Sequence, residues 1–552
     1  MNGAQWTWNV LKQLGVDTIF GIPGGAILPL VDAMVAEHPD LRFIVTRHEA
    51  AAIHAADGYA RVSGRPGVVL VTSGPGGTNV VTGLATAMTD SVPLVVLIGQ
   101  VPTPLIGTDA FQEADLFSMT MPIVKHSWRI TRPQEIAGVL EQAVRVATSG
   151  RPGPVAIEFP KDMQLAEVPD ARWEPSPAPE PTAWVRPLEW ARVRSLLRYA
   201  RRPVLYVGGG VTASDTAHWV RQIAERYQIP VTTTLMGLGT FPGLHPLSLG
   251  MLGMHGTWTA NHAMQEADLI LALGVRFDDR VTGKVDQFAP HAKIVHAEVD
   301  PAEVGKIVRP HVVLRGDLRC TLPRLARLAE PKRHDAWLAQ LERWKAEHPL
   351  KVGDEGAGLS APKALSIIAR YLNDDDPVVT EVGQHQMWAA LVVPRGLPRR
   401  FITSGGAGTM GYGFPAAMGA QLGHPRGRVC LLAGDGSFQM NLQEMATLAQ
   451  YQLPIWVIII NNLGHGMVRQ WQDLFHGERR HGVFLLNPDF VKLAEAFGIP
   501  GFSVNQAGAL EEALAVMQRI EGPVVLEVVV PEDEHVYPMV PAGQPLSMVL
   551  EG

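Results

Sequence analysis

Short apolar runs that end on glycine, separated by stretches of helical periodicity, recur along the whole of this 552-residue chain. Strands buried on both faces read as near-continuous apolar segments, so this pattern specifies parallel α/β sheets with crossover helices. A first block places strands at 17–20, 43–46, 68–72, 93–99 and 155–159, with a helix-compatible stretch at 49–60. A second places them at 203–207, 230–234, 269–274, 294–299 and 312–314, and a third at 378–382, 429–433, 455–460 and 524–530. A proline-rich acidic segment, 167–187, reads as a linker. A charged segment, 330–359, containing Gly353, Gly356 and Gly358, reads as a second. The expectation is three open parallel-sheet α/β domains at 1–165, 188–330 and 360–535, followed by a tail at 536–552. In such sheets ligands sit beyond the carboxyl ends of the strands.

The chain holds 55 glycines and 43 prolines without any low-complexity repeat. Glycines placed singly or in short clusters at strand ends mark backbone held close to something. The charge balance, 47 basic against 54 acidic residues and a net −7 with no basic run, argues against nucleic acid as a partner. Two cysteines, Cys320 and Cys430, exclude a disulfide framework and a cysteine-based zinc site. No apolar stretch approaches the roughly 18 residues of a membrane span, and the first residues lack a signal-peptide pattern. A cytoplasmic enzyme without a membrane contact is expected.

In the third block the run 429–433 ends in Gly434-Asp435-Gly436-Ser437, and the run 455–460 ends in Asn461-Asn462. Both clusters fall on one edge of one sheet. A carboxylate and an amide oxygen are hard ligands suited to magnesium, and flanking glycines let backbone amides approach phosphate oxygens. Taken alone, two ordinary strand-end turns explain the same residues equally well. Gly434-Asp435-Gly436, 24 intervening residues and Asn461-Asn462 together resemble the signature of thiamine-diphosphate enzymes. The resemblance implies a magnesium ion held by Asp435, Asn462 and the carbonyl of Gly464, and a diphosphate loop at Gly383-Gln384-His385.

The same resemblance assigns the other loops. Thiamine chemistry needs a carboxylate on the aminopyrimidine ring, held away from water so that a proton is shared with it. Arg47-His48-Glu49 follows the second strand and resembles the family's catalytic glutamate motif, although a glutamate in a first helical turn is often only a capping residue. Gly408-Thr409-Met410-Gly411 resembles the loop whose large apolar side chain wedges under the cofactor and bends it, and Met410 is the wedge. The implied thiamine-diphosphate contacts are Gly24, Glu49, Thr72, Pro75, Asn79, Gln384, His385, Gly408, Met410, Gly434, Asp435, Gly436, Ser437, Asn462, Gly464, His465, Gly466 and Met467.

In the middle block, Gly208-Gly209-Gly210 gives only a weak dinucleotide signal because the full fingerprint is missing. Arg276-Phe277-Asp278-Asp279-Arg280 after an apolar run would ordinarily be a solvated turn. With Leu252-Gly253-Met254-His255-Gly256 and Arg315-Gly316-Asp317, however, these loops resemble the FAD-binding domain of acetohydroxyacid synthases, closest to the bacterial isozyme-two catalytic subunits. The likeness extends over essentially the whole chain, with Ile22, Ala407 and Gly464-His465 as small departures. Flavin contacts are then implied at Arg151, Gly208, Gly209, Gly210, Thr234, Leu235, Leu252, Gly253, Met254, His255, Gly274, Arg276, Asp278, Arg280, Glu298 and Asp317.

The activity implied by that family is decarboxylation of pyruvate and condensation with a second pyruvate or 2-ketobutyrate. Thiamine diphosphate, Mg2+ and FAD are the implied cofactors. Gln112, Lys161, Arg276, Met467 and Trp471 are the implied substrate contacts, with Arg276 on the second ketoacid's carboxylate and Trp471 shaping the pocket for its ethyl group. A homodimer or homotetramer and a small regulatory subunit are the implied partners. Pyruvate oxidase, which also joins thiamine diphosphate to FAD, and simple ketoacid decarboxylases are the nearest rival activities.

Overall fold

The computed structural model describes residues 1–169, 171–177, 179–353 and 358–552, so Gly356 of the second linker lies outside the described residues. Three six-stranded sheets follow one another along the chain, and every strand pairing within them is parallel. The first contains β1 (Thr18–Gly21), β2 (Arg42–Val45), β3 (Gly67–Val71), β4 (Leu94–Gln100), β5 (Ser127–Arg129) and β6 (Val155–Pro160), in the order β2-β1-β3-β4-β6-β5. The second contains β7 (Pro203–Val207), β8 (Val231–Thr233), β9 (Ser248–Met251), β10 (Leu269–Leu273), β11 (Lys293–Glu298) and β12 (Val312–Arg315), ordered β12-β11-β10-β7-β8-β9. The third contains β13 (Val378–Thr380), β14 (Phe401–Ile402), β15 (Cys430–Gly434), β16 (Trp456–Asn461), β17 (Gly501–Val504) and β18 (Val524–Val529), ordered β14-β13-β15-β16-β18-β17.

The near-continuous apolar runs have a direct cause. Along β4, Val95 and Leu97 pack into the core on one face while Leu94, Val96 and Ile98 pack into the core on the other. Each sheet is covered by helices on both sides, so alternate side chains meet apolar partners in both directions. Four strands escaped the sequence pattern: β5, β9, β14 and β17. All four are edge strands, short and only partly buried, as in the Gly-Phe-Ser-Val of β17. With one hydrogen-bonding side open, an edge strand carries less apolar sequence to be recognised.

The second linker is also different from expectation. Residues 330–359 contain a helix, Asp335–Glu347, that buries Trp337 and Leu341 in the core of the middle sheet. The Trp337 indole donates to the Pro203 carbonyl at 3.2 Å. Its charged outer face hides an apolar stripe of only a few residues, which composition alone does not reveal. The tail is ordered too: Val540 donates to the Met254 carbonyl at 2.7 Å, and Leu546 joins the same core. Among the described residues no helix is long and apolar enough to cross a membrane.

The first and third domains meet through two helices, Glu49–Ser63 and Gly413–Gly423. Their backbones approach so closely that a Cβ on Gly58 would collide with the Ala416 carbonyl, and one on Gly419 with the Ala55 carbonyl. Small residues at the crossing are therefore a steric requirement. Gly419→Val should cost about 1–3 kcal/mol through overpacking and lower the melting temperature of the purified chain. Unchanged melting would mean that the two helices do not pack this way.

Candidate active site

In each sheet the first strand in sequence lies between neighbours reached in opposite directions, and the glycine loops sit at that reversal. In the third sheet the reversal lies between β13 and β15, which are neighbours and parallel. The loop after β13 leads through Gly383 into the helix Gln384–Val392, and β15 leads through Gly434 into Asp435. Beside β15, β16 leads through Asn461-Asn462 to the helix Gly466–Phe475. Helix amino termini and free backbone amides thus converge where an anionic group would sit. Crowding explains the glycines: a Cβ on Gly434 would stand 2.8 Å from the His385 ring, and one on Gly436 2.9 Å from the His465 ring.

Asp435 is buried, and Asn487 donates to its Oδ2 at 2.7 Å while also donating to Asn461 Oδ1 at 2.9 Å. Burial pushes the Asp435 carboxyl upward, opposed by the Asn487 hydrogen bond. Asn462 donates through Nδ2 to Gln384 Oε1 at 3.1 Å. Ser437 Oγ reaches the Val382 carbonyl at 3.3 Å and joins the two loops. Among the described residues no cluster of three or more histidine, cysteine or acidic side chains is suited to a metal. A cation here must therefore use one carboxylate with amide, carbonyl and phosphate oxygens, which suits magnesium. The donor set fits the group.

Two residues absent from the sequence argument complete this edge. Asn487 lies in a stretch without a motif, and no sequence signal marks it. Glu381 is different, because a charged residue near the end of the run 378–382 is itself a signal. It is fully buried, and its carboxylate accepts from Gly411 N and Phe414 N, both at 2.9 Å. Burial raises its pKa to about 7 and lowers that of His385 to about 4. Met410 is half-buried and belongs to no core cluster, so it is not an ordinary core methionine.

The first sheet reverses between β1 and β3. Here Glu49 begins the helix Glu49–Ser63, but it is not the cap: His48 Nδ1 accepts from Ala50 N at 3.1 Å. The Glu49 carboxylate is instead held by Asn79 Nδ2 at 2.9 Å. A Cβ on Gly24 would stand 2.6 Å from Thr72, one on Gly76, next to Pro75, 3.6 Å from Glu49 Oε1, and one on Gly74 2.9 Å from the Gln112 carbonyl. The loops bearing Gly24, Thr72, Pro75, Asn79 and Gln112 thus gather around Glu49. Lys161 follows β6 at the same sheet edge.

The second sheet reverses between β7 and β10, and beyond that point lies a cavity of about 710 Å³. Of the flavin contacts expected above, Arg151, Gly208, Gly209, Gly210, Thr234, Leu235, Leu252, Met254, His255, Gly274, Arg276, Asp278, Arg280, Glu298 and Asp317 line it. Gly253 does not; its backbone is tied on both sides to the Asn261 amide, at 2.8 and 3.0 Å. The charged loop after β10 is not a plain solvated turn. Phe277 adopts φ +55, which sends its ring into the core beside Tyr206, Phe288 and His296. Arg276 and Asp278 on either side then face the cavity from half-buried positions, while Asp279 and Arg280 line its exposed rim. Burial raises Asp278 against the lowering charge of Arg276, and holds His255 down at about 4. Thr234 Oγ1 and His255 Nδ1 are buried without protein partners, and the Gly210–Gly274 contact leaves room only for bare backbone. These features fit a polar, phosphate-bearing ligand such as FAD. The same cavity is lined by Gly408, Met467 and Trp471 from the third domain, but not by Met410, Asp435, Glu49, Gln112 or Lys161.

Family comparisons agree with this geometry. Residues 1–119 match the thiamine pyrophosphate enzyme N-terminal TPP binding domain, 190–325 the central domain and 381–528 the C-terminal TPP binding domain. The chain therefore belongs to the thiamine pyrophosphate enzymes. The acetolactate synthase large subunit of Parasynechococcus marenigrum is 49% identical over 562 aligned positions, covering 99% of this chain and 90% of the relative. The acetolactate synthase isozyme 2 large subunit of Escherichia coli is 45% identical over the full length of both chains. A probable acetolactate synthase large subunit of Methanocaldococcus jannaschii is 44% identical over all of this chain and 95% of its own. Within the thiamine enzymes, the chain belongs to the acetolactate synthase large subunits.

Glu298, at the end of β11, accepts from Val299 N and Asp300 N through Oε1, both at 2.9 Å, and burial raises its pKa to about 7. A folded pKa above the ordinary glutamate value of 4.5 means that the native state holds the extra proton. Its contribution to stability is complete below that value and is lost as pH rises through about 7. Glu298→Gln keeps the accepting oxygen without the titration. In flavin-free protein it should flatten the fall in melting temperature across this pH window, and parallel wild-type and variant curves would contradict the assignment.

Proposed function

We propose that the chain is the catalytic subunit of an acetolactate synthase using thiamine diphosphate, Mg2+ and FAD. It decarboxylates pyruvate and joins the remaining two-carbon unit to a second pyruvate or to 2-ketobutyrate. The products, 2-acetolactate and 2-aceto-2-hydroxybutyrate, belong to the first common step of valine, leucine and isoleucine synthesis. The observation that carries this reading is the shared cavity: Arg276 from the flavin loop and Trp471 beside the thiamine loop Gly408 face the same space. A carboxylate-binding fork and a bulky apolar wall are what a ketoacid acceptor requires.

Bound thiamine diphosphate supplies an electron sink for the carbon that loses carbon dioxide. Glu49, oriented by Asn79, holds a proton shared with the aminopyrimidine ring. Asp435, Asn462 and the Gly464 carbonyl would hold Mg2+, and the amides around Gln384–His385 and Gly466–Met467 would hold the diphosphate. Met410 would support the bound cofactor from below, and Gln112 and Lys161 would lie near the substrate. The sheets fall within domains that we place at 1–165 for the pyrimidine ring, 188–330 for FAD and 360–535 for the diphosphate, with the tail at 536–552. We place the protein in the cytoplasm.

From the family likeness we assign each active site to the first domain of one chain and the third domain of another, in a homodimer or homotetramer. A small regulatory subunit is a further partner, since the relatives are named as large subunits. Glu49→Gln should lower turnover about 100- to 10,000-fold with unchanged melting. Mixing it with inactive Asp435→Asn should restore activity, because a mixed dimer has one intact site. Failure to restore any would place both residues in sites within one chain.

Trp471 sets acceptor choice. Trp471→Leu should shift the ratio of acetohydroxybutyrate to acetolactate by the equivalent of about 1–3 kcal/mol, measured with both ketoacids in competition. An unchanged ratio would remove Trp471 from the acceptor pocket.

A further inference from the structure

Two buried carboxylates cross between the first and third domains in opposite directions: Asp90, at the wall of the flavin cavity, and Glu444, away from it. Asp90 ends the helix Val81–Asp90, and its side chain is fully inaccessible. Its Oδ1 accepts from Gly406 N at 2.7 Å and its Oδ2 from Gly405 N at 3.1 Å. Those two amides open the loop that carries Gly408 and Met410. Arg61 donates to Asp90 Oδ2 at 2.8 Å and to Asp57 Oδ1 at 2.6 Å, which fixes both carboxylates. The loop is held further along as well, by Thr86 Oγ1 against Thr409 Oγ1 at 2.7 Å and by Tyr412 OH donating to Asp57 at 2.6 Å.

Glu444 of the third domain mirrors this arrangement. It is fully buried, and its Oε1 accepts from Arg47 N at 2.9 Å and His48 N at 3.1 Å. Its Oε2 accepts from Thr447 Oγ1 at 2.6 Å. Arg47 and His48 are the two residues that deliver Glu49 to the start of its helix. Tyr451 OH accepts from Val45 N at 2.9 Å, and Arg47 donates to Gln450 at 2.7 Å, so the same segment is held at both ends.

We propose that Asp90 and Glu444 are positioning residues, each fixing the loop through which the other domain reaches the thiamine. The proposal rests on the roles given above to Glu49 and Met410. Hydrogen bonds from backbone amides to a charged, buried oxygen are among the strong ones, and a loop freed from them loses its catalytic register. The two clamps differ in one testable respect. Asp90 uses both oxygens, so Asp90→Asn leaves one glycine amide facing an NH2 group. Glu444 receives both amides on one oxygen, so Glu444→Gln can keep both bonds.

Hydrogen–deuterium exchange on the full-length protein, with and without thiamine diphosphate and Mg2+, reads the loops directly. In Asp90→Asn, exchange in the peptide spanning 402–412 should rise about tenfold or more, while 44–50 stays protected. In Glu444→Ala the reverse should hold, and Glu444→Gln should recover most of the lost protection. Turnover should fall about 100-fold in Asp90→Asn and Glu444→Ala, with weaker thiamine diphosphate binding by fluorescence titration and little change in the KM for pyruvate. Unchanged exchange at those peptides overturns the proposal. So does a rise spread over both domains, or a local rise with cofactor binding and turnover intact. A wild-type protein that makes no acetolactate would refute the proposed function instead, while exchange and cofactor binding still decide the clamp.

Discussion

A parallel sheet has one functional edge, because all its strands point the same way and every strand-to-helix loop leaves from the same side. The chemistry of this protein depends on that constraint applied three times. At each sheet's reversal, two adjacent loops diverge to opposite faces and leave a crevice that only backbone and glycine can line closely. Gly24 and Gly74–Gly77, Gly208–Gly210 and Gly274, and Gly383 and Gly434–Gly436 all occupy such crevices. A side chain at most of these positions would strike a neighbour before any ligand arrived.

Much of this was legible in the sequence because buried parallel strands announce themselves on both faces. The inner strands β3, β4, β7, β10, β15 and β16 lie within a residue or two of expectation. Four of the six edge strands, β5, β9, β14 and β17, were silent because half their backbone bonding and much of their burial is missing, whereas the edge strands β2 and β12 kept enough apolar sequence to be read. The site was legible where chemistry demands particular residues at particular spacing, as at Asp435 and Asn462. It was illegible where a residue acts through geometry created by tertiary contact. Asn487, Asp90 and Glu444 carry no local motif, and their importance appears only when distant backbone amides converge on them. Phe277 is an intermediate case. The charges around it suggested a solvated turn, and only its positive φ turns Arg276 and Asp278 inward together.

The helix crossing at Gly58 and Gly419 links packing to catalysis. It brings the first and third domains close enough for Asp90 to reach Gly405 and Gly406, and for Glu444 to reach Arg47 and His48. Within one chain, the two domains that serve thiamine are thus fastened to each other rather than to the ligand. The flavin domain joins them through the cavity wall and through Arg151, which donates to Glu303 at 2.9 Å.

Product analysis of the purified protein with pyruvate, thiamine diphosphate, Mg2+ and FAD distinguishes carboligation from oxidation and simple decarboxylation. An acetolactate synthase releases one carbon dioxide for each 2-acetolactate, forms 2-aceto-2-hydroxybutyrate when 2-ketobutyrate is added, and keeps its flavin oxidised during turnover. Acetaldehyde as the main product, or bleaching of the flavin by pyruvate at the rate of turnover, would contradict that activity.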